Sequence, residues 1–212
     1  MKKNIIYLLL IIFSTFLNAN EKVVLQLKWF HQFQFAGYYA AKEKGFYDEV
    51  GLDVEIKQRD LKYNNIDEVI NGNAQYGVAD SILILYRLKQ QPVVIVSPIF
   101  QHSPSVFISL KKKNISSIYE LNNKDILFYP NNTDGFSLLA MIKKFNLDVN
   151  LVRERYKDDY MRLINNEVDV IPAYIANEPF LFKEKGYDVN IINPTNYGFD
   201  MYGDMLFTNE DE

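Results

Sequence analysis

Residues 23–56 read VVLQLKWFHQFQFAGYYAAKEKGFYDEVGLDVEI. The segment opens on a β-rich run, VVLQL, crosses an aromatic and polar loop, and continues over residues 37–44 as a helix that Gly45 stops. A further turn at 46–50 leads into LDVEI, whose alternation of apolar and charged residues is that of a half-exposed strand. Residues 66–70 then form a short helix ending near Gly72, and residues 74–79 return to a strand. Strand, helix, strand, helix, strand is the order of a parallel sheet covered by helices, because parallel neighbours need a crossover connection between them.

Outward from this unit the pattern continues. Residues 81–89 are expected to be helical, and PVVIVSPIF (92–100) reads as an apolar strand buried on both faces. In the second half, strands are expected at 105–110, 126–129, 149–153 and 168–174, with helices at 133–145 and 159–164. INGNAQYGVAD (70–80) and INNEVDVIPAY (164–174) both run from a helix end through a polar turn into a strand, which makes Asp80 and Tyr174 equivalent strand ends. In open α/β sheets ligands sit outside such ends. The turn-rich residues 193–196 are expected to return the chain to its first lobe, where residues 197–212 begin a strand and stop. The first lobe is therefore expected to be incomplete at the C-terminus.

Composition narrows the function classes. The 212 residues are 48% hydrophobic, enough for a substantial core, and the formal charge of −4 offers no field that would attract nucleic acid. The lysine run at 111–113 reads as a solvated loop. Residues 1–19 place two lysines before an apolar run and end in Leu17, Asn18 and Ala19, the order of a secretory signal peptide. Cleavage there removes Lys2 and Lys3 and carries the charge from −4 to −6. The mature chain is expected in the periplasm and outside the membrane. It has no cysteine, which excludes disulfides, thiolate metal sites and a cysteine nucleophile. With His31 and His102 the only histidines, no metal site and no cofactor are expected.

The candidate binding residues lie in loops at expected strand ends. From the aromatic segment come Trp29, His31, Gln32 and Tyr38: rings stack on a flat ligand while amide and imidazole groups bond its edge. Phe33, Phe35 and Tyr38 also admit ordinary packing. Asp80 and Ser81 follow a strand and open a helix, where they are equally suited to capping. His102 follows the strand ending at Phe100. Asn132 and Thr133 belong to a loop whose free N–H groups suit a ligand oxygen or ring nitrogen, although it lacks the glycines and lysine of a phosphate loop. Tyr174, Asn177 and Glu178 lie around the last strand end, Glu178 as an acceptor for an aminopyrimidine-like edge. Asp200, in YGFD, completes the set. No catalytic motif is present.

WFHQFQFAGYYAAKEKGFYDEVGLDVEI, INGNAQYGVADS, AYIANEP and YGFDMYGD together resemble the NMT1/THI5-like (SsuA/THI5-like) periplasmic substrate-binding proteins, including those that bind thiamine-precursor pyrimidines. The resemblance covers the chain from Val23. It implies an α/β, two-lobed type II periplasmic-binding-protein fold that closes over a small heterocyclic ligand. Implied lobes are residues 20–104 and 105–195, with 196–212 returning to the first. Cleft roles are implied for Trp29, His31, Asp80, Tyr174 and Glu178, and the implied partner is an ABC permease or a fused signalling module. The family's enzyme branch makes the thiamine pyrimidine with a lysine, a histidine and a cysteine motif. Ala79 and Leu83 stand at the first two positions here and no cysteine exists, so a binding protein is expected rather than a synthase.

Overall fold

The computed structural model describes residues 20–130, 134–154 and 160–212. The expected signal peptide and the candidates Asn132 and Thr133 lie outside the described residues.

The opening stretch folds as β1 (Glu21–Gln26), a 3-10 turn at Phe33–Phe35, α1 (Ala36–Glu43), a single turn α2 (Phe46–Glu49) and β2 (Leu52–Lys57). α3 (Asn65–Ile70) and β3 (Tyr76–Ala79) follow. β1 pairs in parallel with both β2 and β3, as the strand–helix–strand order predicts. β2 buries Val54 and exposes its neighbours Asp53 and Glu55. α4 (Leu83–Leu88) and β4 (Val93–Pro98) come next, and the last strand, β10 (Met205–Asn209), joins them in a five-stranded sheet ordered β2-β1-β3-β10-β4.

β4 departs from the sequence reading. It is an edge strand of that sheet, and Val94, Ile95 and Val96 are 40%, 42% and 52% exposed rather than buried on both faces. An unbroken apolar run signals two-faced burial only where other elements cover both faces of the sheet, and that covering is not written in the local sequence.

The chain packs as two compact units. One comprises the described residues up to Val78 with Pro92–Val94 and Phe207–Glu212; the other comprises Ala79–Gln91 and Ile95–Leu206. In the first, Val23, Leu25, Leu27, Phe35, Ile66, Val69, Val78 and Phe207 are buried. Gly77 lies so close to Phe207 and Val69 that a Cβ there would meet their side chains at 2.6 and 2.8 Å. Asn65, 4% exposed, donates from Nδ2 to the carbonyl of Val78 at 2.7 Å and so satisfies its buried amide.

The second unit is built on β5 (Ser105–Leu110), buried along its whole length between β8 (Ile171–Tyr174) and β9 (Val189–Ile192), both antiparallel to it. β6 (Asp125–Leu127) and β7 (Asn150–Val152) form a parallel pair, and Ile126 bridges in parallel to Val170, just ahead of β8. α5 (Phe136–Lys144) packs Leu138, Leu139, Met141 and Ile142 against Phe107, Phe128 and Val170. α6 (Tyr160–Ile164) and Phe182 of α7 (Glu178–Glu184) cover Val106, Ile108 and Ile171. The matched segments ending at Asp80 and Tyr174 share the sequence of elements but not their pairing: β3 runs parallel to β1, whereas β8 runs antiparallel to β5. α7 begins where the sequence suggested a loop.

Of the lysine run, Lys111 and Lys112 are exposed, but Lys113 is anchored. Its Nζ donates to Asp169 Oδ1 at 2.8 Å and to the carbonyl of Val168 at 3.1 Å. Burial pushes the Asp169 carboxyl up, but the hydrogen bonds from Lys113 and the Asp125 N–H, with the charges of Lys113 and Lys124, outweigh it and hold the group below its usual range. A carboxyl lowered on folding stabilises the native state above its unfolded pKa and loses that contribution as pH falls through the folded one. We expect Asp169→Asn to cost about 1 kcal/mol or less at pH 7, since the pair is partly exposed. The difference from wild type, followed by urea unfolding, should persist to about pH 5 and shrink below about pH 4; a difference that grows on acidification would contradict it.

Candidate functional site

Residues 99–104 and 201–204 run side by side within the second unit. The N–H of Ile99 donates to the carbonyl of Asp204 at 2.8 Å, that of Gly203 to Phe100 at 3.0 Å, and that of Ser103 to Met201 at 2.7 Å. A Cβ at Gly203 would fall 2.9 Å from Pro104 Cδ and 3.0 Å from Phe100 Cβ, so only a residue without a side chain permits this approach. Ser81, buried ahead of α4, donates from Oγ to the carbonyl of Tyr202 at 2.7 Å and ties a third segment to the pair.

Beside these ties lies an open hollow of about 670 Å³ lined by Ser81, Ile84, Gln101, His102, Phe136, Asp200, Met201 and Tyr202. Its volume is in the range of small-molecule sites, roughly 300–1,000 Å³. Ile84 comes from α4, and Phe136 is the first residue of α5. Across the hollow's rim His102 Nδ1 and Asp200 Oδ1 are 2.8 Å apart; both side chains are exposed. The lining thus combines aromatic and aliphatic faces with a few polar groups, a composition common to small-molecule sites.

Three of the expected site residues, Ser81, His102 and Asp200, are brought together here. Tyr174 is half-buried: its hydroxyl donates to Asp204 Oδ1 at 3.1 Å, and its N–H to Glu178 Oε2 at 2.7 Å. Asn177 Nδ2 donates to the other oxygen of Glu178 at 3.4 Å. Glu178 therefore joins the end of β8 to the start of α7. Asp80 is half-buried between β3 and α4, and is not among the residues lining the hollow.

The aromatic segment belongs to the first unit. Trp29 is half-buried and meets Phe30 edge-on at 5.2 Å between ring centroids. His31 is exposed and shares a hydrogen bond with the Tyr39 hydroxyl through Nδ1, and burial raises the Tyr39 phenol above its ordinary value. Phe35 is fully buried, Phe33 is 92% exposed, and Gln32 and Tyr38 are intermediate. The sequence reading missed Ile84, Gln101, Phe136, Met201 and Tyr202 of the lining. It also missed Asp204, a carboxylate 2% exposed. Among the described residues no cluster of acidic or histidine side chains is arranged to hold a metal ion, and no helix is long and apolar enough to cross a membrane.

The sequence profile of the family described as NMT1/THI5 like matches residues 32–212. Among curated proteins, the chain is 26% identical over 184 residues to the riboflavin-binding protein RibY of Chloroflexus aurantiacus, covering 81% of this chain and 51% of that one. It is 24% identical over 197 residues to the formylaminopyrimidine-binding protein of Halalkalibacterium halodurans, covering 91% and 60%. The chain thus spans about half to three fifths of the length of these relatives. Among solved structures, a protein of Bordetella bronchiseptica RB50 superimposes with a TM-score of 0.71 at 17% identity, over 90% of this chain and 64% of the other. The alkanesulfonate-binding protein SsuA of Xanthomonas axonopodis pv. citri, bound to MOPS, gives 0.64 at 13% identity, over 91% and 66%. The fold is an α/β fold resembling the type II periplasmic-binding-protein fold, and it is shared with the solved alkanesulfonate-binding protein and with an ancestral arginine-binding protein.

Since the hollow depends on the bare backbone at residue 203, Gly203→Val is expected to destabilise the chain by about 1–3 kcal/mol through overpacking. Urea unfolding measures this; an unchanged midpoint and slope would show that the two segments need not approach so closely.

Proposed function

The chain belongs to the NMT1/THI5-like family, and from that membership we propose that it is an exported solute-binding protein whose hollow takes a small, flat nitrogen heterocycle. The observation that carries this reading is the lining itself: Phe136 and Tyr202 offer ring faces, Ile84 and Met201 apolar walls, and Ser81, Gln101, His102 and Asp200 polar groups for a heterocycle's edge. The names of the riboflavin- and formylaminopyrimidine-binding relatives are in keeping with such a ligand. A thiamine-precursor pyrimidine is the specific ligand proposed.

The same reading makes residues 1–19 a signal peptide, places the mature chain in the periplasm, and gives it an ABC permease or a fused signalling module as partner. Its lobes are residues 20–104 and 105–195, with 196–212 returning to the first. Trp29, His31, Gln32 and Tyr38 of the aromatic segment, with Asp80, Asn132, Thr133, Tyr174, Asn177 and Glu178, are proposed as further ligand contacts. The synthase alternative gains nothing: Ala79 and Leu83, at the positions of that branch's lysine and histidine, are buried aliphatic residues without a nucleophile or a base.

The test is a thermal and chemical denaturation screen of the full chain against 4-amino-5-hydroxymethyl-2-methylpyrimidine, riboflavin, alkanesulfonates and amino acids. A bound ligand at 100 times its dissociation constant adds about 2.7 kcal/mol to stability. Stabilisation by at least one heterocycle, reduced in Phe136→Ala, is expected; no shift with any heterocycle would overturn the reading.

A further inference from the structure

The hollow's polar groups do not offer equal numbers of donors and acceptors. A carboxylate only accepts, so in the 2.8 Å contact with Asp200 Oδ1 it is His102 Nδ1 that carries the proton. In the neutral ring this leaves Nε2 as an acceptor. Ser81 commits its hydroxyl proton to the carbonyl of Tyr202 at 2.7 Å and retains only lone pairs. Gln101 directs Nε2 at the carbonyl of Pro98 at 3.3 Å, which leaves its Oε1 and one N–H. The second oxygen of Asp200 adds another acceptor. Against these stand the Tyr202 hydroxyl and the remaining N–H of Gln101 as side-chain donors, and none of the eight lining residues is a lysine or an arginine.

We propose that this acceptor-rich rim makes the site selective for heterocycles that present N–H donors, an amino substituent or a ring N–H, and that the His102–Asp200 pair is the element that reads them. Asp200 acts as a positioning residue: it holds the imidazole in the tautomer whose Nε2 accepts. The same arrangement discriminates against sulfonates and phosphates, whose oxygens need several donors and positive charge, whereas the lining offers two side-chain donors and no lysine or arginine. A site built to pair with an N–H rejects a ligand without one, because its own acceptors are then left desolvated and unmatched. This inference rests on the proposal that the hollow binds a heterocycle, and it adds which edge of the ligand is recognised.

The experiment is calorimetric titration of the full chain with 4-amino-5-hydroxymethyl-2-methylpyrimidine, its 4-dimethylamino analogue, riboflavin, 3-methylriboflavin and ethanesulfonate. At least one of the two N–H compounds should bind about tenfold or more tightly than its methylated counterpart, and ethanesulfonate should bind more weakly than either. Asp200→Asn, whose side-chain oxygen still accepts from Nδ1, should keep that preference, and Asp200→Ala should reduce it to less than about threefold. His102→Gln, which retains an acceptor, should preserve more of the preference than His102→Leu. Equal affinity for the methylated and unmethylated members of both pairs would overturn the inference while leaving heterocycle binding intact. So would tighter binding of ethanesulfonate, or a preference unchanged in both Asp200→Ala and His102→Leu. Failure of all four heterocycles to bind would overturn both this inference and the reading beneath it.

Discussion

The hollow exists because two stretches of backbone about a hundred residues apart come within van der Waals contact at Gly203. The amide of Gly203 reaches the carbonyl of Phe100, and Pro104 and Phe100 occupy the space a Cβ would need. Five of the eight lining residues, Gln101, His102, Asp200, Met201 and Tyr202, lie on or beside these stretches. Their mutual placement is therefore set by backbone hydrogen bonds rather than by flexible side chains. Ser81 adds a buried hydroxyl that holds the carbonyl of Tyr202 from a third direction. A net hydrogen bond contributes only about 1 kcal/mol, so no single one of these ties defines the site; several of them, closed around a residue without a side chain, do.

The chemistry follows from what those ties consume. Ser81 loses its donor to the backbone, and His102 is oriented by Asp200. Buried partners elsewhere are used in the same way: Tyr174 donates to the deeply buried Asp204, and Glu178 accepts the N–H of Tyr174. Groups that look equally reactive in the sequence are thus divided into those occupied in holding the scaffold and those that face the hollow. The resemblance to solved structures at 11–17% identity accounts for the backbone and leaves the lining to be decided by this chain's own residues.

Much of the first unit is legible in the sequence because its signals are local. The change from period 2 to period 3.6 and back, with Gly45 and Gly72 at the helix ends, predicts β1, α1, β2, α3 and β3 and their parallel pairing. What local pattern does not carry is the choice of neighbour. The edge position of β4 and the antiparallel placement of β5 depend on contacts with strands more than sixty residues further along. α7 was legible but missed: Pro179 at a helix's second residue is a start signal. Of the site, Ser81 and His102 are found because polar residues after apolar strands stand out, and Asp200 is found as the acid of YGFD. Phe136, Ile84 and Met201 are not, because an apolar residue lining a hollow reads the same as one in the core, and the pairing of His102 with Asp200 spans 98 residues without a local trace.

The most direct measurement is a crystal structure of the chain grown with a heterocycle that stabilises it. The account predicts the ring in the hollow beside Phe136 and Tyr202, with an N–H of the ligand within about 3.2 Å of His102 Nε2. A ligand bound elsewhere on the chain, with this hollow left to solvent, would contradict it.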